Sequence, residues 1–345
     1  MQERYSYRMP AEWERHESTW ISWPKNTLTF PGGLLDDVER AYVSIVHELS
    51  RGERVDILVD DAVTERRVSD ILSGDRGVAF HKIRTADVWV RDYGPIFVAG
   101  SGKVLATKWS FNAWGNKYDD LLPDDNAGRM LAKSTGLDVV EEGMVLEGGS
   151  VDVNGSGLLM TTEQCLLNPN RNPSLSRKQI ENKLRERLGA EEVIWLKSGI
   201  EGDDTDGHID DIARFISPDT AVCMIEEDGS DSNSGRLKEN LQLLNEHATE
   251  AGKKLKVIGL PMPGRLEDGT RLPASYANFY IGNAAVLVPV FGDRNDDAVL
   301  DELHAVFRGR KVVGIDCRAM VHGLGTIHCA TQQQPASQDA SGHSM

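Results

Sequence analysis

The chain of 345 residues carries 54 acidic and 38 basic side chains, which give a formal net charge of −16. This charge disfavours a nucleic-acid ligand, because phosphate backbones are bound by clustered lysine and arginine, and it favours the approach of a small cationic substrate. No apolar run approaches the roughly 18 residues of a membrane span. The amino-terminal residues lack an apolar signal core and the four cysteines form no disulfide framework, so we expect a cytoplasmic protein.

Strand-like and helical segments alternate from the amino end. Residues 18–23 are typical of a strand and residues 35–50 of a helix, and residues 60–84 add a helix and a strand that we interpret as an insertion. Four hairpins follow, each with apolar or β-branched strands around a Gly, Asn-Gly or Pro-Asp turn. They are predicted at residues 94–109, 150–162, 211–225 and 278–291.

An amphipathic helix and one short strand follow each hairpin. The predicted helices cover residues 125–135, 174–188, 236–252 and 294–308, and the predicted strands cover 137–141, 191–196, 254–260 and 310–315. In the second helix Ile180, Leu184 and Leu188 are spaced four apart and predict one buried stripe. Ser176 and Asp296 are typical N-cap residues for the second and fourth helices. The repeating unit is therefore hairpin, helix, strand.

The two ends of the chain supply a missing hairpin. Residues 18–23 have no sequential strand partner, and neither has GTIHCATQ at residues 325–332. Pairing these segments would give a fifth hairpin and close a ring, which removes exposed sheet edges. We therefore predict an α/β fold with a pseudo-fivefold repeat, one domain over residues 1–335, and a disordered tail at 336–345, which has little apolar content.

Acidic, histidine and thiol side chains stand at matching places in this repeat. Asp92 in WVRDYGP, Glu147 in LEGGSVD, His208 and Asp210 in GDDTDGHIDD, and Cys329 in GLGTIHCATQQ each lie just before or within a strand-like run. Loops at one end of a ring converge, so the repeat predicts one cavity holding a thiol, an imidazole and three carboxylates. That set suits a planar cation such as guanidinium, with the thiolate as nucleophile and histidine as proton carrier.

Cys329 is the most informative single residue. It follows Gly323 and Gly325, whose tolerance of positive φ predicts a flexible loop that delivers the thiol. A buried core thiol is the alternative, and it is the role predicted for the other three cysteines. Ser275 occupies the remaining matching position of the repeat.

The acids and the histidine also have ordinary structural roles open to them. Asp92 is a potential ion-pair partner of the adjacent Arg91, and a lone histidine is more often a cap or core residue. Strand alternation would place His208 and Asp210 on one side and Asp211 on the other, which favours Asp210 as the inward residue. A zinc site is the competing use of this set, but no ligand spacing typical of zinc is present.

Motifs along the whole chain resemble a known family. MPAEWERHESTWISWP, WVRDYGP, FNAWGN, LEGGSVDV, TTEQCLLNPNRNP, DDTDGHIDD and GLGTIHCATQQQP, from about residue 9 to about residue 335, are similar to motifs of agmatine deiminases in the bacterial branch related to peptidylarginine deiminases. The resemblance implies a pentein, the five-bladed α/β propeller of guanidine-modifying enzymes. One departure is Asn116 in FNAWGN, where many members have glycine.

The resemblance also implies a covalent mechanism. Cys329 is the implied nucleophile and His208 the general acid and base, while Asp92 and Asp210 clasp the guanidinium and Glu147 completes the set. Agmatine would be hydrolysed to N-carbamoylputrescine and ammonia through a thiouronium adduct, a step of putrescine biosynthesis that needs no metal and no organic cofactor. Relatives are commonly dimers, which implies a homodimer, with a small guanidine as the substrate and no nucleic acid or membrane as partner.

The residues along the rest of the substrate are less distinctive. Trp89 and Trp114 are either core aromatics or flat walls for a methylene chain. Asp204, four residues ahead of the histidine, is the candidate for binding the distal amine. Deimination of free arginine or peptidyl-arginine is an alternative, and free arginine needs a cation for its carboxylate, for which Lys117 and Arg171 are candidates. A third alternative is an inactive propeller used as a binding scaffold, against which the complete set of thiol, imidazole and acids speaks.

Overall fold

The computed structural model describes residues 7–249 and 252–337, which form a mixed α/β structure. Its strands, in chain order, are β1 (His16–Ser22), β2 (Arg54–Val59), β3 (Val78–Lys82), β4 (Ile96–Gly100), β5 (Lys103–Ser110), β6 (Asp138–Val145), β7 (Asp152–Val153), β8 (Leu158–Thr162), β9 (Glu192–Leu196), β10 (Ala213–Ser217), β11 (Thr220–Ile225), β12 (Lys256–Pro261), β13 (Glu267–Asp268), β14 (Thr270–Arg271), β15 (Tyr280–Ile281), β16 (Ala285–Val290), β17 (Lys311–Asp316) and β18 (Gln332–Pro335). Its helices are α1 (Leu34–Leu49), α2 (Ala62–Ile71), α3 (Val90–Tyr93), α4 (Ala113–Asn116), α5 (Asp124–Ser134), α6 (Glu163–Leu166), α7 (Arg177–Leu188), α8 (Ser232–Glu246) and α9 (Asp296–Val306). None of these helices is both long and apolar enough to cross a membrane.

Four sheets share one topology. In each, an antiparallel hairpin is extended by a parallel third strand that follows a helix, and the strand orders are β4-β5-β6, β7-β8-β9, β10-β11-β12 and β15-β16-β17. The four predicted hairpins and their helix-strand extensions are therefore confirmed. A further small hairpin, β13 with β14, is separate from these sheets.

A fifth sheet joins the two ends of the described chain. β1 pairs antiparallel with β18, with His16 opposite Pro335, and parallel with β2. The predicted pairing of the ends is confirmed, but the second strand begins at Gln332, and residues 325–331 form turns instead. The predicted insertion is α2 with β3, which lies beside β2 as a fourth, parallel strand.

Hydrogen bonds at the caps set the helix limits. A capping box of Ser176 with Gln179 opens α7, and the stripe predicted on this helix is buried. α8 begins and ends earlier than predicted, and the Asp231 carboxylate accepts the N–H of Asn233 at its start. The prediction of Asp296 as an N-cap was wrong. Asn295 takes that position in α9, because the Asp296 carboxylate is turned back to accept the N–H groups of the preceding loop.

The candidate site residues lie just ahead of the first strand of each hairpin. Asp92 precedes β4, Glu147 precedes β7, His208 precedes β10 and Cys329 precedes β18. These lead-in segments include α3 and the 3₁₀ turns Gly148–Ser150 and Ile209–Asp211. Equivalent positions in similar sheets bring together side chains that are far apart in sequence.

The tail predicted at 336–345 is only partly within the described residues. The N–H of Ala336 donates to the carbonyl of Arg15 at 2.9 Å, which continues the pairing of the two chain ends. The predicted tail from residue 338 onward lies outside the described residues.

Candidate active site

Cys329 lies at the wall of a cavity of about 270 Å³. The thiol is 6% exposed, and the side-chain amide of Asn278 donates to its sulfur at 3.1 Å. The thiol in turn faces Asp210 Oδ2 at 3.7 Å. Burial raises the pKa of Cys329 well above its usual value, and the neighbouring carboxylates of Asp210, Asp211 and Asp92 raise it further. The free thiol is therefore protonated at neutral pH.

The glycines before Cys329 serve close packing rather than positive φ. Leu324, between them, has φ of +66°, whereas neither glycine is in the left-handed region. A Cβ on Gly325 would lie 2.7 Å from the ring of Trp89 and 3.2 Å from the Cβ of Cys329. A Cβ on Gly323 would come within 2.6 Å of the Phe30 ring. The positive φ expected at these two glycines was therefore wrong, because their role is to leave room for aromatic side chains.

Asp92 points into the same cavity. The indole N–H of Trp114 donates to Oδ2 and the N–H of Gly149 donates to Oδ1, both at 2.9 Å. Burial raises the pKa of Asp92 to about 6, against the positive influence of His208 and with the help of the nearby acids. Asp92 has no hydrogen bond to the neighbouring Arg91, whose guanidinium instead donates to Gln333 and to the carbonyl of His328.

Asp210 lies opposite Asp92. His328 Nδ1 is 2.6 Å from its Oδ2, while its buried Oδ1 has no hydrogen-bond partner among the described residues. Strand alternation does not apply here, because residues 209–211 form a 3₁₀ turn. Asp210 nevertheless faces His208, and Asp211 instead accepts the side-chain N–H of Asn278 at 3.0 Å.

His208 is fully buried between the two aspartates. Its Nδ1 is 3.8 Å from Asp92 Oδ2 and 4.0 Å from Asp210 Oδ1. Burial alone would lower the pKa of His208, but Asp92, the thiol of Cys165 and Asp210 outweigh it, so the pKa stands well above its usual value. Neither ring nitrogen has a geometrically defined hydrogen-bond partner within the described chain, and the ring lies close to Glu147 and Cys165 as well as to the two aspartates.

Gly149 lies where these three side chains meet. A Cβ at this position would come within 2.6 Å of His208 Nδ1, 2.9 Å of Asp92 Oδ1 and 3.0 Å of Asp210 Oδ2. The neighbouring Gly148 is equally constrained, since its Cβ would be 2.3 Å from the carbonyl oxygen of Arg91. Gly149 thus lets the backbone approach the two aspartates closely, and Gly148 lets it approach the backbone of Arg91.

Glu147 is held from outside the cavity. Its Oε1 accepts the Nε–H of Arg171 at 2.6 Å, and its Oε2 is buried with no hydrogen-bond partner in the described chain. The polar atoms of Glu147, Cys165 and His208 lie within 4.8 Å of one another. Zinc accepts these three types of ligand, but none of the three residues is among those that line the cavity.

The cavity walls combine aromatic and acidic side chains. Trp89 and Trp114 both line it, and both are almost fully buried. Asp204 lines it near the mouth, where it accepts a hydrogen bond from the hydroxyl of Tyr118, and burial raises the pKa of Asp204. Two further acids, Asp87 and Asp120, also line the cavity, whereas no lysine or arginine of residues 7–249 and 252–337 does.

The two cations considered for a substrate carboxylate are already engaged. The side chain of Arg171 is 0% exposed and binds Glu147, the Asp206 carboxylate at 2.7 Å and the carbonyl of Thr205. Lys117 pairs with the other oxygen of Asp206 at 2.8 Å. Both side chains therefore stabilise the loop that carries Asp204 and do not face the cavity.

The loop with the FNAWGN motif is a single left-handed turn. All four residues of α4 have positive φ, from +49° at Ala113 to +90° at Gly115. Asn116 has φ of +60°, a conformation that glycine and asparagine both tolerate. Asparagine at this position is thus consistent with the backbone that the more usual glycine would adopt, and the turn places Trp114 against Asp92.

Several site residues had no assigned role in the sequence prediction. Asn278 binds Cys329, and it lies shortly after Ser275, whose hydroxyl donates to a backbone carbonyl and not into the cavity. Its signal was the fifth position of the repeat. His328 had only its place beside Cys329 as a signal. Glu12, which binds His328 Nε2 at 2.9 Å, had none, because its contacts depend on the pairing of the chain ends.

Comparisons with known proteins agree with this geometry. The sequence model for Porphyromonas-type peptidyl-arginine deiminases matches residues 8–335. A protein of Legionella pneumophila (strain Paris), provisionally named an agmatine deiminase, is 38% identical over 97% of each chain. The structure of an Enterococcus faecalis agmatine deiminase superposes with a TM-score of 0.91 at 33% identity, covering 96% of this chain and 97% of that one. A cysteine-to-serine variant of C. jejuni agmatine deiminase with substrate bound gives 0.87 at 32% identity, over 96% and 97% of the two chains. The chain therefore belongs to the Porphyromonas-type peptidyl-arginine deiminase family.

Proposed function

We propose that this protein is an agmatine deiminase, which hydrolyses agmatine to N-carbamoylputrescine and ammonia. One observation carries the proposal: a thiol opens into a cavity lined by Asp87, Asp92, Asp120 and Asp204, with no lysine or arginine of the described residues on its walls. Such a cavity is complementary to a molecule with a positive charge at each end. The names of the E. faecalis and C. jejuni relatives support the same substrate.

The guanidinium end is bound between Asp92 and Asp210. Carboxylates accept the paired N–H groups of a guanidinium, and the unpartnered Oδ1 of Asp210 is available for this contact. Trp89 and Trp114 flank the methylene chain, and Asp204 accepts the distal ammonium group. Bound in this way, the cation offsets the carboxylate charges that raise the pKa of Cys329, so the substrate helps to form its own nucleophile.

As the cation binds, the thiol of Cys329 releases its proton to solvent, and the resulting thiolate attacks the guanidinium carbon. His208, which is protonated at rest because of its raised pKa, transfers a proton to the departing nitrogen, and ammonia leaves a thiouronium adduct. His208 next takes a proton from water, which attacks the same carbon. Collapse of this second tetrahedral intermediate breaks the C–S bond, the hydroxyl proton passes to the departing thiolate, and the ureido product is released. We propose that neither a metal ion nor an organic cofactor takes part.

Deimination of free arginine is the alternative activity, and the cavity speaks against it. The α-carboxylate of arginine would lie beside Asp204 without a cation, and an unpaired buried carboxylate is costly. Lys117 and Arg171 are engaged elsewhere, and His322, which lines the mouth, pairs with Asp268 at 3.0 Å. Arginine is therefore expected to be at least about a hundredfold poorer than agmatine in kcat/KM.

We also propose the arrangement that the resemblance implies. Residues 1–335 form one domain, in which the five sheets are the blades of an α/β propeller with the cavity at its axis. The recurrence of one strand order in the sheets supports this arrangement. A homodimer in the cytoplasm is the proposed state of the protein.

Incubation of the purified protein with agmatine, arginine and an arginyl peptide tests the activity. Ammonia and the ureido product are measured for each substrate, and agmatine is expected to give the highest kcat/KM. Similar values for arginine and agmatine would exclude the proposed selectivity. Release of ammonia from the peptide alone would favour a peptidylarginine deiminase.

A further inference from the structure

His328, the residue beside the candidate nucleophile, belongs to a buried row of polar groups that also includes Asp210 and Glu12. His328 is 3% exposed, and its two ring nitrogens face two different carboxylates. Nδ1 is 2.6 Å from Asp210 Oδ2, and Nε2 is 2.9 Å from Glu12 Oε2. Ionised carboxylates only accept hydrogen bonds, so both contacts are satisfied when both ring nitrogens carry a proton.

Glu12 lies at the end of this row opposite Asp210, and several partners fix its position. Its Oε1 accepts the N–H of Ile281 at 2.8 Å and lies 2.9 Å from the guanidinium of Arg214, while Arg91 approaches Oε2 at 3.4 Å. Burial would raise the pKa of Glu12, but the charges of Arg214, His328 and Arg91 hold it well below its usual value. Glu12 is therefore an ionised acceptor whose position is determined by several partners.

The orientation of Asp210 depends on Glu12. His328 occupies Oδ2, so Oδ1 is the oxygen left without a partner, 4.0 Å from the ring of His208. Burial would raise the pKa of Asp210, whereas the hydrogen bond and charge of His328 bring it below its usual value. In contrast, burial raises the pKa of Asp92 to about 6, and the main opposing charge comes from His208. The two acids that would bind a guanidinium thus differ in their partners: Asp210 contacts a histidine, whereas Asp92 accepts hydrogen bonds from Trp114 and Gly149.

We propose that Glu12 and His328 are positioning residues, which orient the carboxylate of Asp210 so that its free oxygen receives a guanidinium N–H. This inference rests on the proposed function. The imidazole transmits the position of Glu12 to Asp210, and neither residue contacts the substrate. A structural tether is the competing role, in which His328 would merely fasten the turn that carries Cys329 to the amino-terminal segment.

A matched pair of substitutions separates these two roles. In His328→Asn the amide nitrogen takes the place of Nδ1 and keeps the hydrogen bond to Asp210, but the contact with Glu12 is lost. In His328→Gln the amide nitrogen takes the place of Nε2, so the contact with Glu12 is kept and that with Asp210 is lost. Positioning of Asp210 predicts that the Asn variant retains kcat/KM for agmatine within about tenfold and that the Gln variant loses about a hundredfold. A tether predicts the reverse order, which would overturn the proposal.

Glu12 is tested by a double-mutant cycle. If it acts through His328, Glu12→Gln should lower kcat/KM less in the His328→Asn background, where the contact is already broken, than in the wild-type protein. Equal losses in both backgrounds would exclude the connection through the imidazole. Circular dichroism and thermal melting, measured for each variant, identify any protein that has not folded.

A second readout does not need a substrate. Asp210 Oδ2 accepts a hydrogen bond from the thiol of Cys329. The pH dependence of Cys329 alkylation by iodoacetamide therefore reports on this carboxylate. The His328→Gln profile should be displaced furthest from that of the wild type, and the His328→Asn profile should be displaced less, because asparagine keeps the hydrogen bond to Asp210 and loses only the charge. Coincidence of all three would overturn the positioning role. Failure of the wild-type protein to convert agmatine would count against the proposed function alone, because the alkylation comparison stands without it.

Discussion

The two ends of the cavity are built differently. At the deep end the cavity is lined by Asp92, which is 3% exposed and accepts the N–H groups of Trp114 and Gly149, and the fully buried His208 and Asp210 lie close by. At the mouth Asp204 is partly exposed and has one side-chain partner, the hydroxyl of Tyr118, while Leu28 is 81% exposed. Rigid, dry surroundings suit bond making and breaking, whereas a partly hydrated acid suits recognition of a charge remote from the reaction. Changes at the deep end should therefore lower kcat, and changes at the mouth should raise KM.

Replacement of the thiol should have the largest effect. Cys329→Ala is expected to lower kcat by at least about 10⁴-fold, because neither water nor a methyl group replaces the nucleophile. Turnover is measured by ammonia release, with folding checked by thermal melting. Cys223→Ala and Cys317→Ala, at buried cysteines away from the cavity, are the matched controls and should keep their activity. Activity retained in Cys329→Ala would eliminate the covalent mechanism.

Gly149→Ala should have the next largest effect. The added methyl group would enter the space shared by His208, Asp92 and Asp210, and displacing reacting groups by about 1 Å costs roughly a hundredfold in rate. Gly143→Ala is the control, because a Cβ at that exposed position meets nothing within 4 Å. Equal kcat values for the two variants would contradict the crowding described here.

The pH dependence should show the state of Asp92. Burial raises its pKa to about 6, so the carboxylate is ionised above this pH and protonated below it. Because a guanidinium needs the ionised form, kcat/KM should fall about tenfold per pH unit below pH about 6. An acid limb near the ordinary aspartate value of about 4 would assign it to another group.

The smallest effect is expected at the mouth. Asp204→Asn should raise KM for agmatine about tenfold with little change in kcat, because its contact is the same in the ground state and the transition state. Asp119→Asn, at an exposed residue close by that does not line the cavity, should have no effect. A fall in kcat for Asp204→Asn would remove the distinction between the two ends.

Much of the fold could be predicted because each element of the repeat has a recognisable pattern of neighbouring residues. Hairpin turns, helix stripes and the lead-in position of Asp92, Glu147, His208 and Cys329 all depend on neighbouring residues. Contacts that depend on tertiary packing could not be predicted. The role of Gly325 is set by the ring of Trp89, and that of Glu12 by residues more than two hundred positions away.

The contacts of the acidic residues could not be predicted from the sequence for the same reason. Strand alternation selected Asp210 over Asp211, but the segment is a 3₁₀ turn, in which alternation has no meaning. Cys165 was expected to be an ordinary core thiol, yet it lies beside His208 and Glu147. Neighbours of this kind follow from the way the sheets are placed, which no short pattern of residues describes.

The pairing of β1 with β18 has a consequence for synthesis on the ribosome. The strand at His16–Ser22 finds its partner only when Gln332–Pro335 has been made. Until then the sheet that contains β1 is incomplete, and one edge of β1 is unpaired and accessible to chaperones or to other nascent chains. Cys329 and His328 are made after Asp92, His208 and Asp210, so these three residues have no nucleophile beside them until Cys329 has been added. The order of the residues along the chain therefore delays assembly of the complete site.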